Sequence, residues 1–170
     1  MAVVNQHDDV PAITSFCGEY RFLSNFWPTE VEMDGVLYPT VEHAYQAAKT
    51  TDERKREAIL WQMVPILNGG EISWEKIGTS PGYAKSIARS FVLRDGWEIL
   101  KLPLMEFLLR QKFSTEPLRS QLLSTYPREL VEGNYWGDRF WGVYKGAGEN
   151  HLGKLLMKIR KEIRQEQRQA

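Results

Sequence analysis

One cysteine and three histidines in 170 residues leave little material for disulfide or metal chemistry. Cys17 has no internal partner, and His7, His43 and His151 are too scattered along the chain to suggest a zinc site. No run approaches the roughly 18 apolar residues of a membrane span, and the first residues, with Asp8 and Asp9, lack the basic start and apolar core of a secretory signal. The expectation is a cytosolic protein that uses neither metal nor cofactor. An excess of one charge is lacking as well: 22 Lys and Arg balance 22 Asp and Glu. Without a global positive field, strong non-specific nucleic-acid binding is not expected, although a local basic pocket stays open. What is present is ordinary for a globular chain. Hydrophobic residues make up 42% and charged residues 26%, which excludes disorder, and the length suits one domain with its own core but not two catalytic domains.

Residues 1–14 show no period and read as a flexible lead-in to a domain over 15–168. Apolar residues alternate on either side of Asp34-Gly35, a hairpin pattern that predicts strands near 28–33 and 36–39. Thr40 is a good helix cap, followed by VEHAYQAAK with three alanines, so a helix is expected over 41–49. A second is expected from Asp52 to Met63, ending before Pro65 and Gly69-Gly70, and a third from Ser80-Pro81 through Arg89. Trp97, Leu100, Leu104, Phe107, Leu108 and Phe113 keep helical spacing despite Pro103, which should kink that helix or delay its start. Further helices are expected at 116–124 and 151–167. The latter carries the stripe Leu152, Leu155, Leu156, Ile159 and Ile163, and a short extended piece at 130–132 and a loop at 133–150 precede it. The fold class is α+β, a mainly helical single domain with a small antiparallel sheet.

Two places stand out for chemistry. Glu42, Gln46 and Lys49 fall at i, i+4 and i+7, beside the apolar row Val41, Ala44, Tyr45 and Ala48. On spacing alone that polar stripe reads as a solvated face; a functional stripe needs a cavity over it. The loop from Asn134 to Gly153 (NYWGDRFWGVYKGAGENHLG) gathers aromatics and glycines ahead of a helix whose first amides suit a phosphate, with a loop pinned by aromatics as the plainer alternative. Among six Trp, Trp141 is the least explained by packing, whereas Trp97 opens an amphipathic helix and serves either core or ligand. No GxSxG elbow supports a serine triad, and Cys17 lacks the setting of a thiol nucleophile.

The blocks FLSNFWP (22–28), YPTVEHAYQAAK (38–49), KF (112–113), LVE (130–132), DRFWG and GAGENHLGKLLMKIR (138–160) together resemble the YbiA-like, or NADAR (NAD and ADP-ribose associated), family. The resemblance runs from Phe16 to Arg160. It implies an N-glycosidase that cleaves phosphorylated N-ribosides of an exocyclic amine without a cofactor. The implied substrates are ribosylaminopyrimidine phosphates of the early riboflavin pathway, or ADP-ribose attached to guanine. By position, the family's catalytic glutamate matches Glu42, its tryptophans Trp97 and Trp141, the acid before the WG pair Asp138, and the Asn and Gly opening the last helix Asn150 and Gly153. Lys49 is a further catalytic candidate: it either holds phosphate, forms a Schiff base with a ring-opened sugar, or merely pairs with Glu42. Asp138 either binds ribose hydroxyls or caps the loop. Trp141 would stack on the base or wall the ribose, the GAGEN turn with Gly142, Gly146 and Gly148 would seat phosphate on its amides, and Asn25 is placed among the substrate contacts. Family members often carry a glycine where Val143 and Tyr144 stand here, a departure that bears on the leaving group rather than the reaction. The competing expectation is a module that binds ADP-ribose or a related nucleotide without cutting it. Such a reader has no use for a carboxylate beside C1′.

Overall fold

Asp34 and Gly35 take φ of 54° and 77°, the paired left-handed positions of a tight turn that glycine fills freely and aspartate tolerates. They join β1 (Val31–Met33) to β2 (Val36–Tyr38), antiparallel with Val31 opposite Tyr38 and Met33 opposite Val36. This is the hairpin that the Asp-Gly pair predicts. The computed structural model describes residues 10–169 and divides the chain into two compact units, one over Asn25–Lys112 and one of the segments before and after it.

In the Asn25–Lys112 unit, α1 (Val41–Ala47) is buried along its whole length and packs against α2 (Glu53–Leu60), α3 (Pro81–Ala88), α4 (Trp97–Lys112) and both hairpin strands. The Thr40 hydroxyl caps it by accepting from the His43 N–H at 3.2 Å. α1 buries Ala44 and Ala47 and packs on α3, which buries Ala84 and Ala88; small side chains suit a close approach of two helices. α3 starts as the Ser80-Pro81 pair predicts, with Ser80 Oγ accepting from the Tyr83 N–H at 3.1 Å. α4 runs through Pro103. The missing donor would serve the Ile99 carbonyl, and both residues lie on the exposed side, where water replaces the bond. Its buried face is Trp97, Met105, Leu108, Leu109 and Lys112, and Phe107 of the predicted stripe is exposed.

The helix expected over 52–63 stops at Leu60. From there the chain forms β3 (Trp61–Asn68) and β4 (Glu71–Gly78), an antiparallel hairpin in which Trp61 faces Gly78 and Asn68 faces Glu71. Strand pairing claims residues 61–63, which helix composition alone assigned to α2. Gly69 and Gly70, read only as a helix stop, make the turn with φ of 60° and 97°.

The other unit opens with Ile13, whose N–H donates to the Glu129 carbonyl at 2.8 Å and whose own carbonyl accepts from Val131 at 2.8 Å, a single parallel bridge to Leu130. Ile13 is buried, so the fold already includes the end of the expected lead-in, whose residues 1–9 lie outside the described residues. A 3₁₀ turn (Gly18–Leu23), α5 (Leu118–Ser124), β5 (Gly133–Asn134), β6 (Val143–Tyr144) and α6 (His151–Gln169) complete it. Leu152, Leu156, Ile159 and Ile163 are the buried stripe of α6, with α5 against it. β5 and β6 pair in parallel, an addition to the antiparallel sheet expected. The class is α+β and mainly helical, with three two-stranded sheets among the described residues.

Candidate active site

The polar stripe of α1 is not solvated. Glu42 is 5% exposed and Gln46 2%, and Gln46 Nε2 donates to Glu42 Oε1 at 2.7 Å, the i to i+4 contact that helical spacing allows. Removing a carboxylate from water costs several kcal/mol, on the order of what a marginally stable domain has in total, so a solvated-face explanation no longer serves. The segment before β1 reaches the same residue: the Asn25 carbonyl accepts from the Glu42 N–H at 3.0 Å, and Asn25 Nδ2 points to Met105 Sδ at 3.5 Å.

Lys49, one turn beyond Gln46, is half-buried, with Nζ 5.5 Å from the Tyr45 ring centroid. Among the described residues its ammonium makes no salt bridge, so the simple pairing with Glu42 is not formed. Burial pushes the Lys49 pKa below the usual lysine value; Glu42 opposes that shift, and Lys85 of α3 and Arg89 just after it reinforce it. Lys49 thus feels one carboxylate and two further cations of the same unit. Trp97 is 6% exposed, its ring 5.2 Å from that of Tyr45 at 55°. Of the two roles that the sequence left open to it, its indole has the packing one, against Tyr45. His43, also on α1, is structural: Nδ1 lies 2.8 Å from Thr40 Oγ1 and Nε2 3.2 Å from the Thr79 carbonyl, and burial holds its pKa below the ordinary value.

The residues expected from the far end of the chain form their own group in the other unit. Asp138 Oδ1 accepts from the Phe140 N–H at 3.0 Å and the Trp141 N–H at 2.9 Å. It therefore caps the loop, and of its two expected roles this one is formed; as a positioning residue it fixes where Trp141 begins. Asn134, which sequence reasoning passed over, organises the same turn by accepting from Gly137 and Asp138 and donating to the carbonyls of Asp138 and Val143. An Asn ahead of an aromatic-Gly pair is the signal that could have found it. Trp141 is half-buried, with Phe140 5.0 Å away edge-on and His151 6.4 Å away. Val143 and Tyr144, the departure from the family pattern, form β6, and the Tyr144 ring has Arg139 at 5.8 Å and Lys145 at 5.2 Å.

Much of the backbone of the GAGEN turn is engaged within the loop itself. The N–H groups of Ala147, Glu149, Asn150, His151 and Leu152 already donate to the carbonyls of Tyr144, Arg139, Gly142, Phe140 and Trp141. Asn150 is committed too: Nδ2 donates to the Leu130 carbonyl at 2.9 Å and Oδ1 accepts from Glu132 at 3.0 Å. The glycines answer to backbone packing. A Cβ on Gly142 would lie 2.1 Å from the Glu132 carbonyl oxygen, and one on Gly148 2.1 Å from that of Gly142, while Gly146 is needed only for its φ of 75°. A Cβ on Gly153 would sit 2.1 Å from the Leu130 carbonyl oxygen and 2.6 Å from the Asn150 amide. Gly153→Ala is accordingly expected to destabilise the protein by about 3 kcal/mol, the overpacking range, because the obstacle is backbone and cannot swing aside. Urea unfolding measures this; an unchanged midpoint would mean that α6 can begin without the close contact.

A carboxylate buried on a capped helix, hydrogen-bonded to a buried amide and with its charge acting on a desolvated lysine, is a combination found at functional sites, and the fold that carries it is of the α+β class. A model of the NADAR domain matches residues 14–164. The N-glycosidase YbiA of Escherichia coli (strain K12) is 35% identical over 161 residues, covering 92% of this chain and 89% of its own. The NMR structure of E. coli YbiA matches with a TM-score of 0.72 at 34% identity, over 98% of this chain and 93% of that one. A riboflavin biosynthesis protein of Vibrio vulnificus (strain YJ016) is 32% identical over 156 residues, 86% of this chain and 36% of that longer one. The chain belongs to the NADAR family, and it is an N-glycosidase, a glycosyl hydrolase. Among the described residues no group of three or more His, Cys, Asp or Glu is placed to hold a metal ion, and no helix is long and apolar enough to cross a membrane.

Proposed function

We propose that the chain hydrolyses the bond between C1′ of a 5′-phosphorylated ribose and an exocyclic amine, with Glu42 at the reacting carbon. The observation that carries this is the burial of Glu42 against Gln46. Breaking such a bond builds positive charge on the sugar, as an oxocarbenium ion or a ring-opened iminium, and a desolvated carboxylate stabilises that charge and ferries the proton to the departing amine. A module that only held a nucleotide would gain nothing from this arrangement.

The 5′-phosphate is assigned to Lys85 of α3 and Arg89 just after it, whose charges act on Lys49 in the same unit as Glu42. That assignment leaves Lys49 for covalent chemistry: with its pKa lowered by burial, a larger share is neutral amine, the form that attacks an iminium carbon. Between the two substrate classes, the ribosylaminopyrimidine phosphates are favoured, since a relative covering 86% of this chain is a riboflavin biosynthesis protein; ADP-ribosyl guanine is the second reading. Incubation with a ribosylaminopyrimidine 5′-phosphate and, separately, with ADP-ribosyl guanosine, followed by mass spectrometry, tests both. Release of free amine and sugar phosphate from the first is the expected result. Cleavage of the second alone would move the assignment to ADP-ribosyl guanine, and cleavage of neither would remove it.

A further inference from the structure

Two residues hydrogen-bonded to Glu42, Gln46 through Nε2 and Asn25 through its backbone carbonyl, each keep a buried side-chain oxygen without a hydrogen-bond partner: Oε1 of Gln46 and Oδ1 of Asn25. The residues are 2% and 9% exposed. Leaving a buried acceptor unmet costs roughly 1–3 kcal/mol, and folded proteins keep few such atoms. Neither amide gains by turning over. Reversing Gln46 would set its oxygen against Glu42 Oε1, now 2.7 Å from Nε2, so that two acceptors would meet. Reversing Asn25 would exchange its contact to Met105 Sδ for an oxygen facing sulfur. The donors of both side chains are therefore used, that of Gln46 on Glu42 and that of Asn25 on Met105, and the acceptors are left over.

An unmet carbonyl oxygen selects a chemistry. It repels phosphate and carboxylate and accepts from O–H or N–H groups. Beside C1′ of an N-riboside, the donors are the ribose hydroxyls, with the 2′-hydroxyl on the adjacent carbon. We infer that Gln46 has two duties: its Nε2 positions the Glu42 carboxylate, and its Oε1 accepts from the 2′-hydroxyl, making the enzyme specific for ribosides over 2′-deoxyribosides. Asn25 accepts from a second sugar donor. This rests on the reading that Glu42 works at C1′.

The first test needs no variant. Ribose 5-phosphate and 2-deoxyribose 5-phosphate, titrated calorimetrically into the wild-type protein, should differ in affinity by about tenfold or more, since a buried acceptor built for a hydroxyl is left unpaired by the analogue lacking it. Equal affinities would overturn the inference whatever the variants do. Gln46→Met keeps length and removes both duties. It should bring the two sugars within about threefold of each other, and on a ribosylaminopyrimidine 5′-phosphate it should lower kcat while raising KM. A variant that keeps the wild-type ratio assigns Gln46 to structure alone and also overturns the inference. Failure of the underlying reading looks different: wild-type protein would then cleave no N-riboside phosphate, although the affinity comparison would still decide whether Gln46 reads the hydroxyl.

Discussion

Glu42→Gln should lose turnover of a phosphorylated N-riboside by about 10²–10⁴-fold, the span typical for removing a positioned acid–base group. The substitution keeps shape, and the new side-chain oxygen can still accept from Gln46 Nε2, whose present contact is 2.7 Å. What disappears is charge. The binding constant of substrate should change far less than turnover, since the carboxylate is required only as positive charge grows on the sugar. Stability should hold or rise, because a carboxylate that is 5% exposed is expensive to desolvate and an amide is not. A protein that trades stability for a buried charge at a reacting centre shows this signature: the crippled enzyme melts at the same or a higher temperature. Single-turnover kinetics with thermal unfolding of the same preparation measures both. Turnover within a few fold of wild type would take Glu42 out of the mechanism, and a large fall in melting temperature would recast it as a structural residue.

How much of this could be read beforehand differs by level. α1 was legible because its signals are local: Thr40 caps it, and Val41, Ala44, Tyr45 and Ala48 set its apolar row. That Glu42 and Gln46 are buried too was not, because spacing shows which residues share a face but not what covers that face. The cover comes from residues far along the chain, α3 and α4 among them. The loop before α6 illustrates the converse. Its glycines announce an irregular backbone, but residue type cannot tell whether a close approach serves a ligand or another strand of the same protein. The Leu130 carbonyl, which Gly153 accommodates, lies 23 positions upstream. β3 and β4 carried an alternating pattern in Trp61, Met63, Leu67, Ile72 and Trp74 around Gly69-Gly70. The helix-favouring run ERKREAIL just before it and Pro65 within it pointed elsewhere, and pairing over the full length of both strands decided the matter.

Lys49→Arg should be nearly as damaging as the loss of Glu42, at about 10²-fold or more, although the positive charge is retained. If Lys49 only neutralised phosphate, arginine would replace it with small loss. In the covalent route, ring opening gives an iminium between C1′ and the exocyclic nitrogen. Lys49 Nζ adds to C1′, and the exocyclic amine departs with a proton carried by Glu42. The resulting Schiff base is hydrolysed by water to the sugar aldehyde and free lysine. The addition to C1′ needs the neutral amine. Burial disfavours the ammonium form and lowers the pKa, Glu42 works against this, and Lys85 and Arg89 add to it. The neutral fraction therefore grows as pH rises toward that lowered pKa, so kcat/KM should climb on the acid side and level off below the pH at which an ordinary lysine titrates. Borohydride added during turnover supplies the hydride that converts the Schiff base to a stable secondary amine. Peptide mass spectrometry should then find one sugar phosphate on Lys49 and none in Lys49→Arg. An unmodified Lys49 under turnover, together with an active arginine variant, would return this residue to phosphate binding and leave Glu42 to act without a covalent partner.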